Sequence, residues 1–95
     1  MSRLVQISAQ VAVFCRCLVP EQRRAVKPAL KDLREERGAI RSLEGNLSGF
    51  NRLRVGRFRI IFAYRSDGAI AAVFMEERRL VYDLFEAQFI KRLKT

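Results

Sequence analysis

Between Phe50 and Glu76 the hydrophobic period of the chain becomes two, and the run is interrupted twice by residues suited to tight reversals. Side chains on a strand alternate between faces, so a sustained period of two commits these residues to a sheet. Gly56-Arg57 supplies one turn and Asp67-Gly68, a strong hairpin signal, supplies the other. The spacing predicts three strands, Phe50 to Val55, Phe58 to Arg65 and Ala69 to Glu76, joined as an antiparallel meander.

Two-residue loops would fix the register of that meander. Val55 then pairs with Phe58, Arg54 with Arg59 and Leu53 with Ile60; beyond the second turn Tyr64 meets Ala71 and Phe62 meets Val73. One face collects Leu53, Val55, Phe58, Ile60, Phe62, Tyr64 and Met75. The other collects Arg52, Arg54, Arg59, Ile61, Phe74 and Glu76, and the same parity carries Arg78 there. From Gly45 to Ser66 there are five arginines (Arg52, Arg54, Arg57, Arg59, Arg65) and no acid, so this face lacks local neutralisation. Like charges directly opposite each other destabilise a sheet by a few tenths to about 1 kcal/mol. An anion held between Arg54 and Arg59 reverses that sign, and the guanidinium fork matches phosphate bidentately. The competing reading is a solvated face on which Glu76 neutralises Arg59.

The flanking segments read as helices and a first strand. Arg3 to Ile7 alternates, with Val5 and Ile7 on one side, and Ser8 is a good N-cap for a helix bearing Val11, Phe14, Cys15 and Leu18 on one face. Pro20 suits the first position of a second helix, which shows Val26, Ala29, Leu30 and Leu33 on one side and ends at Gly38. Pro28 falls inside that pattern and should kink it, at roughly 3 kcal/mol if the helix runs straight through. Residues 39–49 read as a connecting loop, and Asp83 to Lys94, with Leu84, Phe85, Phe89, Ile90 and Leu93, as a closing helix. The order is β-α-α-β-β-β-α, an α+β fold. Its antiparallel sheet is packed on one face by the two N-terminal helices and open on the other. At 95 residues this is one domain, spanning 1–95.

Composition narrows the chemistry. Nineteen Lys and Arg against ten Asp and Glu leave a formal net charge of +9, which favours a polyanionic partner. With no histidine, Ser-His and Cys-His nucleophile arrangements are impossible and a Cys/His zinc site has too few ligands, so no metal or cofactor is expected. Cys15 and Cys17 would point about 200° apart around a helix, a poor arrangement for a bridge, and are expected as buried or half-buried free thiols. No apolar run approaches the roughly 20 residues that span a bilayer, and the segment after Met1 lacks a signal core; a soluble cytoplasmic protein without membrane partners is expected.

The stretch Leu43-Glu44-Gly45-Asn46-Leu47-Ser48-Gly49-Phe50, followed by Arg52-Leu53-Arg54-Val55-Gly56-Arg57-Phe58-Arg59-Ile60-Ile61-Phe62, resembles the RelE/ParE toxin superfamily. Glu77-Arg78-Arg79-Leu80-Val81-Tyr82 is similar to that family's His-Arg-Arg-Glu-Val-Tyr signature, and the element order matches along nearly the whole chain. The resemblance implies a toxin paired with a cognate antitoxin. Its RelE branch implies metal-independent cleavage of mRNA at the ribosome, with the ribose 2′-OH as nucleophile. Its ParE branch implies non-enzymatic inhibition of DNA gyrase, and a degenerate member would keep only antitoxin or nucleic-acid binding. Carried over position by position, the resemblance puts Arg52 and Arg54 among the basic residues of the first meander strand. It makes Arg59 and Arg78 ligands of the cleaved phosphate, and Tyr82 a base-stacking or proton-transfer residue. Arg57 and Arg79 join Arg52, Arg54, Arg59 and Arg78 as RNA-binding residues. Glu77 stands where many members have histidine, and arginine at 54 cannot serve as a base. Glu76 or Glu77 is therefore the candidate base, Tyr82 the candidate acid, with charge stabilisation as the alternative source of rate. The partner antitoxin segment is expected to be acidic or amphipathic, lying over the basic face or displacing the last helix.

Overall fold

Two short turns decide where the sheet residues face. At the first, Gly56 has φ +59° while Arg57 stays in the ordinary negative range, the signature of a two-residue hairpin with glycine at its first position. Val55 therefore pairs with Phe58, Arg54 with Arg59 and Leu53 with Ile60, as the alternation requires. At the second turn Arg65 and Ala69 close the loop instead, through an Arg65 N–H to Ala69 carbonyl bond of 2.8 Å. That makes a three-residue loop, Ser66-Asp67-Gly68, with Gly68 at φ +89° and the Asp67 carboxylate accepting from the Ala69 amide. The expected pairs Tyr64–Ala71 and Phe62–Val73 are corrected to Tyr64–Ile70 and Phe62–Ala72. A β-bulge between Ile61 and Phe62 then absorbs Val73 and restores the expected register, so that Ile61 meets Phe74, Ile60 meets Met75 and Arg59 meets Glu76.

The computed structural model describes residues 2–93, with side chains through Phe89. Its elements are β1 (Val5–Ile7), α1 (Ala9–Arg16), α2 (Pro20–Arg34), β2 (Ile40–Ser42), a 3₁₀ turn (Gly45–Leu47), β3 (Asn51–Val55), β4 (Phe58–Tyr64), β5 (Ile70–Glu77) and α3 (Val81–Leu93). The sheet order is β1-β5-β4-β3-β2; β1 runs parallel to β5 and every other neighbour is antiparallel.

Ser8 caps α1 as its sequence position suggests, its hydroxyl accepting from the Val11 amide at 3.2 Å. β5 is much longer than β1, and side chains complete its pairing. The Ser8 hydroxyl donates to the Val73 carbonyl, while the Gln10 amide both donates to the Met75 carbonyl (2.7 Å) and accepts from the Met75 amide (2.8 Å). α2 starts on Pro20 and runs through Pro28 as one helix. Pro28 and Arg24, whose carbonyl loses its donor, both lie on the exposed side, where water can replace the missing bond. α2 ends at Arg34, short of Gly38, because Glu36 already turns the chain at φ +56°. Gly38 instead allows a close approach: at φ +115°, a Cβ there would lie 3.0 Å from the Leu53 side chain. The expected 39–49 loop contains β2, an edge strand pairing Ile40 with Leu53 and Arg41 with Arg52.

α1 and α2 cover the apolar face of the meander. Val11, Leu18, Val26 and Leu33 bury against Leu53, Val55, Phe58, Ile60, Phe62, Ile70, Ala72 and Met75. The opposite face is only partly open, which corrects the expectation of one fully open face. Ile61 and Phe74 lie under α3, where Leu47, Val81 and Phe85 join them in a second core flanked by Leu43, Phe50, Val73 and Tyr82. Phe85 and Phe89 meet Phe50 edge-on, at 5.0 and 5.6 Å between ring centroids. α3 begins two residues earlier than expected, at Val81; Lys94 and the side chains of Ile90 and Leu93 lie outside the described residues. Cys15 and Cys17 are free, Cys15 partly buried but Cys17 exposed, and burial raises the Cys15 thiol above its ordinary pKa. No described helix is long and apolar enough to cross a membrane.

Candidate phosphate-binding arginine face

Strand alternation sends Arg52 and Arg54 of β3 and Arg59 of β4 to the face that α3 only partly covers. Arg54 and Arg59 stand directly opposite each other, and Glu76 of β5 completes their rung. Two residues further along β3, Arg52 faces Arg41 on one side and Ile61 on the other. Arg41 is a functional candidate missed in the sequence. Its segment read as loop, and only the pairing of β2 shows that it shares a face with Arg52.

The local backbone holds these cations in place. One terminal nitrogen of Arg59 donates to the Gly56 carbonyl (2.9 Å) and to its own neighbour, the Phe58 carbonyl (2.8 Å). The guanidinium is thereby tied to the turn that Gly56 makes possible, leaving its other N–H groups for a ligand. Arg52 donates to the Ala39 carbonyl at 3.0 Å. Arg54 is exposed.

Electrostatics around Arg59 are unfavourable to a bare cation. Partial burial, then repulsion from Arg52, hold its pKa below the ordinary arginine value; Tyr82 acts in the opposite sense, and Arg54 and Arg78 add to the lowering. The three ion pairs among the described residues, Arg3–Glu36, Arg57–Glu77 and Arg65–Asp67, involve none of Arg41, Arg52, Arg54, Arg59 or Arg78. Glu76, on the same rung, makes no ion pair with Arg59, and its carboxylate accepts from the Glu77 amide at 3.0 Å.

Glu77 is separated from this group. It stands opposite Phe58, whose ring is in the first core, so alternation turns it away from Arg59. Its carboxylate pairs with Arg57 at 3.4 Å, a contact between largely exposed groups. Arg57, Glu77, Arg78 and Arg79 line a groove of about 430 Å³ beside the first hairpin. The Arg78 amide donates to the Arg57 carbonyl at 2.9 Å, which docks the turn between β5 and α3 against that hairpin. Tyr82, on the first turn of α3, is partly buried against the second core and close enough to act on Arg59. The structure thus brings together Arg52, Arg54, Arg59, Arg78 and Tyr82, with Arg41 and Glu76 at their edge. It sets Arg57, Glu77 and Arg79 in an adjoining groove that Arg78 also lines.

Such an arrangement suits a phosphodiester. Several arginines share one sheet face, and apolar residues on one side lower the local dielectric and strengthen each contact.

No protein-family model matches the chain, and no curated protein sequence matches it. Solved structures do. The chain is similar to the toxin–antitoxin complex RelBE2 of Mycobacterium tuberculosis (TM-score 0.71, 20% identity, 82% of this chain and 100% of that one). It is similar to the RelE–RelB complex of the archaeon Pyrococcus horikoshii (TM-score 0.67, 24% identity, 82% of this chain and 97% of that one). The YoeB–YefM complex of Staphylococcus aureus gives a TM-score of 0.63 at 17% identity, covering 81% of this chain and 99% of that one. The chain has the fold of RelE-type toxins, as its meander residues suggest.

Proposed function

We propose that this protein is the toxin of a toxin–antitoxin pair and that it inactivates mRNA at the ribosome by cleaving the phosphodiester backbone on its arginine face. One observation carries the reading: Arg54 and Arg59 are paired directly across β3 and β4, and neither takes part in an ion pair among the described residues. The likeness in fold to toxins solved with their antitoxins supports the setting.

The chemistry follows from the groups present. The 2′-oxygen of a bound ribose attacks the adjacent phosphorus, the 2′-oxygen–phosphorus bond forms, and the bond to the leaving 5′-oxygen breaks. The 2′-hydroxyl proton must go to a base and the leaving oxygen must gain one. Arg59 and Arg54 grip the phosphate and stabilise the charge that accumulates on its oxygens, with Arg78 and Arg52 beside them. Tyr82 reaches the same patch and is the candidate proton donor. Glu76, across from Arg59, is better placed to accept a proton than Glu77, which is engaged with Arg57. Neither carboxylate is free of a partner, so charge stabilisation and in-line positioning carry most of the rate. Arg57 and Arg79, in the adjoining groove, hold the RNA backbone further along. A cognate antitoxin, acidic or amphipathic, would silence the toxin by covering this face, and the pair would act in the cytoplasm.

Induced expression of the wild type and of Arg59→Ala, followed by mapping of RNA ends, tests the reading. The wild type should arrest growth with mRNA cut at ribosomes, and Arg59→Ala should relieve the arrest while remaining folded. Arrest with intact transcripts rejects cleavage; if cleaved DNA accumulates as well, the target is gyrase.

A further inference from the structure

The arginine face has a second like-charged rung. Arg41 of β2 and Arg52 of β3 are Cα partners, two residues along the sheet from Arg54 and Arg59. At the strand rise of about 3.3 Å per residue, the two rungs lie roughly 7 Å apart on one face. Arg41 is exposed, and no ion pair among the described residues engages it. Arg52 is steadied by the Ala39 carbonyl. One row of repelling cations on a sheet is unfavourable, and a second in register with it compounds the cost.

The track also has an end. The next rung is Leu43 beside Phe50, joined by a 2.9 Å bond from the Leu43 amide to the Phe50 carbonyl, and both side chains pack into the second core. The face therefore offers two basic rungs and then turns apolar.

We infer that Arg41 and Arg52 form a second phosphate subsite, which takes the phosphate next to the one held by Arg54 and Arg59, so that the ligand is a single-stranded RNA segment gripped at two successive linkages. The inference rests on the RNA-cleaving reading and adds to it a residue, Arg41, and a minimum ligand length.

The test is a thermodynamic cycle between a side chain and a linkage. A short 2′-O-methyl RNA, which cannot be cleaved, is bound to the wild type and to Arg41→Gln. It is then rebound with each phosphodiester in turn replaced by a neutral methylphosphonate. Arg41→Gln should weaken the all-phosphate RNA about fivefold and flatten the log–log salt slope by about 0.7, the contribution of one phosphate contact on a single strand. At one linkage, neutralisation should weaken the wild type about fivefold and leave Arg41→Gln almost unchanged. Arg24→Gln removes the same charge from the exposed side of α2. It should leave binding nearly intact.

Additive losses at every linkage, or an equal loss in Arg24→Gln, would overturn the subsite and show only an effect of net charge. Those outcomes leave the cleavage reading standing if the wild type still cuts RNA. No binding of the all-phosphate RNA by the wild type also overturns the subsite, whereas the cleavage reading falls only if expression leaves transcripts intact.

Discussion

Arg54 and Arg59 stand on the same sheet face as Ile61 and Phe74, one rung away, yet the two pairs live in opposite conditions. Ile61 and Phe74 are sealed beneath α3 by Val81 and Phe85. Arg54 is in water, and Arg59 lies at the border, partly buried and surrounded by other cations. Alternation alone sends all four residues to one side. What separates them is how far α3 reaches. A helix laid over the aromatic half creates both a small core and a shore along which charge is only half hydrated. A cation on that shore binds an anion more strongly than one on an open surface, because less water must be displaced and less screening remains.

The contrast can be broken from its apolar side first. Phe85→Ala removes a buried ring that touches Phe50, Phe74 and Phe89, and should lower unfolding stability by about 3–5 kcal/mol, measured by denaturant titration. Native-state hydrogen exchange should show α3 amides opening before those of β4. Simultaneous opening would mean that the two cores are one cooperative unit.

Arg59→Ala attacks the charged side. RNA cleavage should fall by about 10²–10³-fold, the range for removing one preorganised contact to the reacting charge. Stability should move by no more than about 1 kcal/mol, because one lost bond runs to the exposed Gly56 carbonyl, the other to the part-buried Phe58 carbonyl, and a repulsion disappears with them. Gly56→Ala probes the turn that holds Arg59. The added Cβ meets nothing within 4 Å, so its cost is the left-handed backbone alone, about 1–2 kcal/mol in thermal unfolding. Smallest is Glu77→Gln, which should change stability by less than about 0.5 kcal/mol since its partner Arg57 is exposed. RNA cleavage by this variant should stay within twofold; a hundredfold loss would restore Glu77 as the proton acceptor and move the site into the groove beside it.

Much of this was legible in the alternation of residues 50–64. The first hairpin, its register and the Arg54–Arg59 pair follow from one glycine and a period of two. The second hairpin differs from the two-residue expectation by one residue, but the bulge at Val73 makes an equal and opposite shift, so the expectation for Phe74 and Glu76 holds while Ala71 and Val73 change faces. A bulge has no local signature here, since Ala71-Ala72-Val73 fits either face. β2 was hidden because a three-residue edge strand is defined by its partner and not by its own pattern. Arg41 was lost with it. Family resemblance suggested Glu77 for catalysis, whereas parity with Glu76 already argued that only one of two adjacent strand residues can face Arg59. The extent of α3's cover, which divides the site, depends on packing and was not readable at all.

The fastening of β5 by the N-terminal segment has a kinetic consequence. Ser8 and Gln10 reach residues 65 positions away, and the parallel β1–β5 pairing spans the same separation. α1 leaves the ribosome with an apolar stripe whose main sheet contact is β5, the last strand to be made. The hairpins, in contrast, close locally within microseconds. Topology of this kind slows the rate-limiting step, because a long loop must be ordered before any of its contacts are gained. The arginine ladder can therefore be assembled early, yet its rigidity waits for β1 to meet β5.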